Sequence, residues 1–184
     1  TLNSKVTKPS EGRCAIICGG EATGQFYNCM VTGCSVDISG EGSVGTLAGT
    51  IAAVLNSPEA LVDRCIAMNN KVAVGNTHAS ALVARVTSGT VRNCIAQNNE
   101  VYTGVRFATG IAAMVCSPLA VIDHCLSSSN KITSKEFYAS GVVGELSSGV
   151  VVNCTSDSNT ITVEERRLIG GIAGQLKKDG NLIN

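Results

Sequence analysis

The sequence predicts an all-β chain: a parallel (right-handed) β-helix, or solenoid, with about 30 residues and three short strands per rung. Three observations carry this expectation. Five cysteines, Cys29, Cys65, Cys94, Cys125 and Cys154, recur in one context at spacings of 36, 29, 31 and 29 residues. An upstream block recurs with them, as "LAGTIAAVL", "HASALVARV", "FATGIAAMV", "YASGVVGEL" and "LIGGIAGQL". No stretch of about ten residues or more carries the apolar period of a helix, which disfavours helical and leucine-rich solenoids. A sandwich of antiparallel strands gives no reason for a fixed repeat. One rung cannot bury its own inner face, so the core exists only where rungs stack. Stacked at the strand spacing of about 4.8 Å, equivalent positions become columns.

Taken in order, residues 1–12 read as an N-terminal lead or cap, and 13–184 as one repeat domain of about five to six rungs. The upstream block is the first strand of each rung. Its apolar positions alternate as Ile51, Ala53, Leu55, then Leu82, Ala84, Val86, then Ile111, Ala113, Val115, then Val142, Gly144, Leu146, and finally Ile172, Gly174, Leu176. Period two places this set inward. The residues between, Ala52, Val83, Ala112, Val143 and Ala173, are therefore expected to point outward, beside Val54, Arg85, Met114 and Glu145. An outward column of only Ala and Val is unusual for a solvated sheet, so these nine residues form the candidate partner face.

The cysteine block, for example "TVRNCIA", reads as a second strand bent at the residue before the cysteine. That position holds Asn28, Arg64, Asn93, His124 and Asn153, and Asn tolerates the left-handed conformation of a tight bend. The five cysteines then form an inward ladder. They are expected to be buried, reduced and unpaired, each behaving as a small hydrophobe. Five residues on stand Cys34, Asn70, Asn99, Asn130 and Asn159, and "NEVYTG" or "NKITSK" supplies a third strand. A longer period overlies the repeat. "TIAAVLNSPEALVDRC" returns sixty residues later as "GIAAMVCSPLAVIDHC", whereas the rungs between use the turns "TSG" and "SSG". The chain reads as a duplicated two-rung unit. Its final segment, "GGIAGQLKKDGNLIN", stops where other rungs approach their ladder cysteine, so the array is expected to continue past Asn184.

Composition narrows the function. The 184 residues carry 14 basic and 14 acidic side chains with no basic block, which argues against nucleic acid. No apolar run reaches the roughly 18 residues of a membrane span, so this segment is not expected to insert into a membrane. The opening "TLNSKVTKPSEG" has no signal-peptide core, implying that a signal has been removed or that the segment is excised. Aromatic residues make up 3% and Trp is absent, so Val, Ile, Leu, Ala and Cys must fill the core.

The "GGIAG" at Gly170 to Gly174, followed by "NLIN", resembles the glycine-rich GLUG repeat of bacterial surface proteins. "NCIAQNNEV" at Asn93 to Val101 is similar to a variant of its second strand. The resemblance covers residues 47–184 well and Arg13 to Thr46 loosely, with an insertion around "SGEGS". It implies a secreted or surface-exposed β-helix used in adhesion, or one flanking the catalytic domain of a larger protease.

Chemistry-bearing patterns are sparse. His78 and His124 sit at repeat positions and read as variants of them, and neither HExxH nor GxSxG occurs. Asp63, Arg92 and Asp123 stand two residues before successive cysteines and are expected to form an exposed opposite-charge ladder. Cys14, Cys18, Cys29 and Cys34 leave three readings open: buried thiols, one disulfide, or a loosely spaced zinc set. No catalytic, cofactor-binding or metal residue is assigned, and no cofactor is expected. The expectation is a non-enzymatic extracellular or cell-surface segment, an adhesin-like binding surface or stalk. Its partner would be a protein or glycan on a host or neighbouring cell, or another copy of itself. An accessory region of a secreted protease or polysaccharide-degrading enzyme, or a filament subunit, are the alternatives.

Overall fold

Residues 5–7, 12–38, 45–165 and 168–183 are described in a computed structural model of the chain. Most of the expected lead, the "SGEGS" insertion and Asn184 lie outside them. The chain is a β-solenoid of about five turns in which every strand pairing is parallel and rungs are offset by about 31 residues. Four strands make a rung, not three. Taking the second complete rung, they are His78–Ser80, Val83–Arg92, Ile95–Gln97 and Glu100–Thr103. Equivalent strands of successive rungs stack into a first, a long, a third and a fourth sheet. The miscount has a local cause. The stretches read as two strands are one, because Val83–Arg92 runs through its "TSG" with only a shift of register. "HAS" then stands as a separate strand, and "CIA" begins a new one beyond a corner.

Those corners are where sequence and geometry meet. The residue before each ladder cysteine has positive φ: 53° at Asn28 and Arg64, 54° at Asn93, 47° at His124 and 52° at Asn153. A second left-handed corner follows at Asn69, Asn98, Ser129 and Ser158. Short polar side chains suit this region because they bond locally to the backbone. Between the two corners lie the strands of the third sheet. After them comes the buried asparagine column, which closes the turn from within. Asn99 Nδ2 donates to the Ala67 carbonyl at 2.9 Å and to Asn130 Oδ1 at 2.9 Å, while its own Oδ1 accepts from the Asn70 backbone N–H at 3.0 Å. The pattern repeats at Asn70 and Asn130, whose amides bond to the rungs on either side, while Asn159 bonds to the rung before it and to Ser156 Oγ of its own. Buried amides are tolerated only when so satisfied.

The rungs are also fitted to one another in volume. A Cβ on Gly110 would come within 2.1 Å of Ser127 Oγ, and one on Gly141 within 2.0 Å of Ser156 Oγ. In the preceding rung the same two columns hold Ala81 and Ala96. Gly with Ser and Ala with Ala fill the same space. A second fit explains the two-rung period. The "SP" rungs carry strands of 12 residues, Ala52–Asp63 and Ala112–Asp123, and the rungs stacked on them strands of 10, Val83–Arg92 and Val143–Val152. Gly89, at φ 98°, lies over the extra turn, where a Cβ would meet the Ala60 and Ser57 carbonyls at 2.5 and 2.7 Å. Gly149, at φ 99°, does the same over Ala120 and Ser117.

Candidate binding groove

The main core inside the coil contains Ile51, Ala52 and Leu55, then Leu82, Val83 and Val86, and equivalents in later rungs. Ala52, Val83, Ala112 and Val143 are fully buried there, and Ala173, in the last described rung, is half-buried. The expected outward Ala/Val column is therefore an inward one, and it is not a partner face. Ala53 and Ala84, expected inward, instead form a separate small cluster with Leu47 and Val54. Period two fails because the chain bends at residues 50–51 between the first and long sheets. Two consecutive residues then turn into the coil, and the next two turn out against the first sheet.

What the bend creates is a concave groove outside the coil. One wall is the first-sheet column Leu47, His78, Phe107, Tyr138 and Leu168, set side by side by parallel register. His78 and Phe107 have ring centroids 4.9 Å apart; Phe107 and Tyr138 stack at 5.0 Å with an interplanar angle of 24°. Phe137 lies 5.9 Å from Tyr138 at 23°. Small residues at the column of Ala53, Ala84 and Gly144 make room, since a Cβ on Gly144 would approach Phe107 Cβ to 2.9 Å. Beside them run Val54, Arg85, Met114 and Glu145, the remaining members of the expected face. Val54 and Glu145 are buried, Arg85 and Met114 half-buried.

A pocket of about 230 Å³ opens in this groove between the third and fourth complete rungs, lined by Arg106, Phe107, Phe137, Tyr138 and Glu145. Glu145 Oε1 accepts from Lys177 Nζ at 2.7 Å. Arg85 Nε donates to Cys116 Sγ at 3.4 Å. The Arg106 guanidinium has no ion pair or hydrogen bond to the described residues. Beneath the pocket, His78 is buried with neither ring nitrogen hydrogen-bonded. Burial, reinforced by the nearby charges of Arg85 and Arg106, pushes its pKa down to about 3, so the ring is neutral. Sequence reasoning placed His78 in its column but missed Arg106, Phe107, Phe137 and Tyr138 as a site. One signal was available: three of the chain's six Phe and Tyr residues fall here.

The other candidates go elsewhere. Asp63 is buried at the corner of the long sheet, not exposed, and accepts from Asn93 Nδ2 at 3.0 Å and Arg92 Nη2 at 3.1 Å. The Asn93 amide, with Arg92 behind it, holds its carboxyl below the usual range. Asp123 faces His124 Nδ1 at 2.5 Å and Asn153 Nδ2 at 3.5 Å, so the column is a set of corner braces.

Cys65, Cys94, Cys125 and Cys154 are buried and carry free thiols; Cys29, in the first described rung, is half-buried. Each of the four lies near the carbonyl two residues before it, from 3.0 Å at Cys94 to 3.5 Å at Cys65. Hydrogen bonding to Cys94 and burial push the Cys65 thiol up, and the Cys154 and Cys94 contacts with burial do so for Cys125. Cys94, approached by Cys125 and Cys65 as donors, is drawn the other way. Because its sulfur also faces the Arg92 carbonyl, which only a protonated thiol can do favourably, we take it to carry its proton at neutral pH. Cys14 and Cys34 are buried and Cys18 half-buried. Among the described residues no group of three or more His, Cys, Asp or Glu is placed to hold a metal ion.

No family model matches the chain, and neither a curated protein nor a solved structure matches it.

Proposed function

We propose that the chain is an adhesin-like binding segment of an extracellular or surface protein, with the concave groove as its ligand face. The observation that carries this reading is the concentration, in one accessible pocket, of scarce aromatic rings, a buried carboxylate and a guanidinium with no ion pair among the described residues. Elsewhere the coil spends its backbone groups on rung-to-rung ladders and its corners on internal braces, which suits a rigid scaffold presenting side chains. The partner is a protein or glycan on a host or neighbouring cell. Likeness to the GLUG repeat of bacterial surface proteins supports the placement: its glycine-rich segment, "GGIAG", falls on the bend that forms the groove.

The test is retention of purified protein on arrays of glycans and extracellular-matrix proteins. Two groove substitutions together, Arg85→Glu and Met114→Glu, are compared with Lys131→Glu on the exposed fourth sheet. Both variants should keep the far-ultraviolet spectrum of the parent. Groove substitution should remove retention and the fourth-sheet change should not. Equal retention by all three proteins, or none by the parent, sinks the reading.

A further inference from the structure

We propose that the pocket between Arg106 and Glu145 is a subsite for one sugar acid, a pyranose ring bearing a carboxylate, at the end of a glycan. This rests on the groove being the ligand face and names what the face reads. Size comes first. About 230 Å³ is below the roughly 300–1,000 Å³ of pockets for drug-sized ligands, so it accepts a single ring or a single side chain. Mode of recognition comes second. Both strands beside the pocket, Phe107–Thr109 and Tyr138–Ser140, are paired on each side within their sheet. A peptide cannot add there as a further strand, and recognition falls to side chains.

Those side chains suit an amphipathic acid ring. Tyr138 is half-buried in the lining and offers aromatic surface to the C–H face of a pyranose. Arg106 is exposed, bears no ion pair to the described residues, and has the planar fork that receives a carboxylate bidentately. Glu145 keeps one oxygen on Lys177 and can take a ring hydroxyl on the other. The charge balance of the lining agrees: Arg106 is its one cation, and its one carboxylate, Glu145, is already paired with Lys177. An aspartate or glutamate side chain would satisfy Arg106 but present no ring face to Tyr138.

Titration calorimetry of the full chain would use methyl glucuronide and methyl N-acetylneuraminide as acidic probes. Methyl glucoside serves as the neutral ring and N-acetylglutamate as the acid without a ring. At least one acidic glycoside should bind at least about tenfold more tightly than either control. Arg106→Ala should abolish the difference and Arg106→Lys restore only part of it, both with an unchanged thermal midpoint. The proposal fails if methyl glucoside binds equally well, if N-acetylglutamate matches the sugar acids, if Arg106→Ala has no effect, or if no probe binds. Array retention that is lost on Arg85→Glu/Met114→Glu but survives Arg106→Ala would leave the groove reading standing and remove only this subsite.

Discussion

His78 shares its column with Leu47, Phe107, Tyr138 and Leu168, and it is the one member with ring nitrogens, neither of which finds a partner. Burying unsatisfied polar atoms costs stability, and a buried imidazole between guanidinium charges cannot readily take up a proton. The sign follows from linkage. The folded-state pKa, about 3, lies below the ordinary 6.5, so the unfolded chain binds the extra proton as pH falls through that interval. Stability is then lost on acidification, by about 2 kcal/mol between pH 7 and pH 5. His78→Phe, which copies the neighbouring Phe107, should be at least as stable at pH 7 and should lack most of this loss. Urea midpoints of both proteins at the two pH values check it. An undiminished loss in the variant would assign the acid sensitivity elsewhere.

At the scale of the element, columns couple through volume. Gly110→Ala pushes a methyl group against Ser127 Oγ and the Gly141 carbonyl, and overpacking of this kind costs about 1–3 kcal/mol. Adding Ser127→Ala recreates the Ala81/Ala96 pair of the preceding rung and should recover about half of that cost or more, although it gives up the hydrogen bond from Asn130. Additive losses in denaturant melts would show that the two columns are independent. The cysteine column makes a second prediction. Native protein should react quickly with a thiol reagent at the half-buried Cys18, Cys29 and Cys116, and slowly at Cys65, Cys94, Cys125 and Cys154. Mass-spectrometric mapping decides this, because reactivity follows exposure as well as thiolate character. Rapid labelling of Cys94 would show that it is a thiolate after all.

For the whole molecule the unit of construction is the pair of rungs. Residues 78–137 contain one long strand of each kind, Val83–Arg92 and Ala112–Asp123. Excising these residues joins Thr77 to Tyr138 and seats the "SSG" turn with Gly149 on the "SP" turn at Ser57. Nearest-neighbour contacts are then all of kinds already present, so the shortened chain should fold. It keeps about two thirds of the length, and its urea m-value should fall by about one third, since m follows the surface exposed on unfolding. An unfolded product, or an m-value equal to that of the parent, would refute the two-rung account.

The repeat, the parallel all-β class, the inward cysteine column, the recurrence of the asparagines as a column and the left-handed corners before the cysteines were legible in the sequence. Each arises from one residue type meeting the same local demand once per rung: a thiol filling the same hole, an amide closing the same turn, an Asn accepting the same φ. Recurrence makes such demands visible without coordinates. The groove was not legible. Whether Ala53 or Ala52 faces the core depends on a bend at residues 50–51, where the chain passes between two sheets and strict alternation stops. That bend depends on which sheets pack against each other, a tertiary matter with no signature of its own in a run of small apolar residues. The same holds for the pocket, whose Arg106, in the bend before Phe107–Thr109, and Glu145, on the long strand of the next rung, are 39 residues apart and come together only because the coil folds back on its outer side.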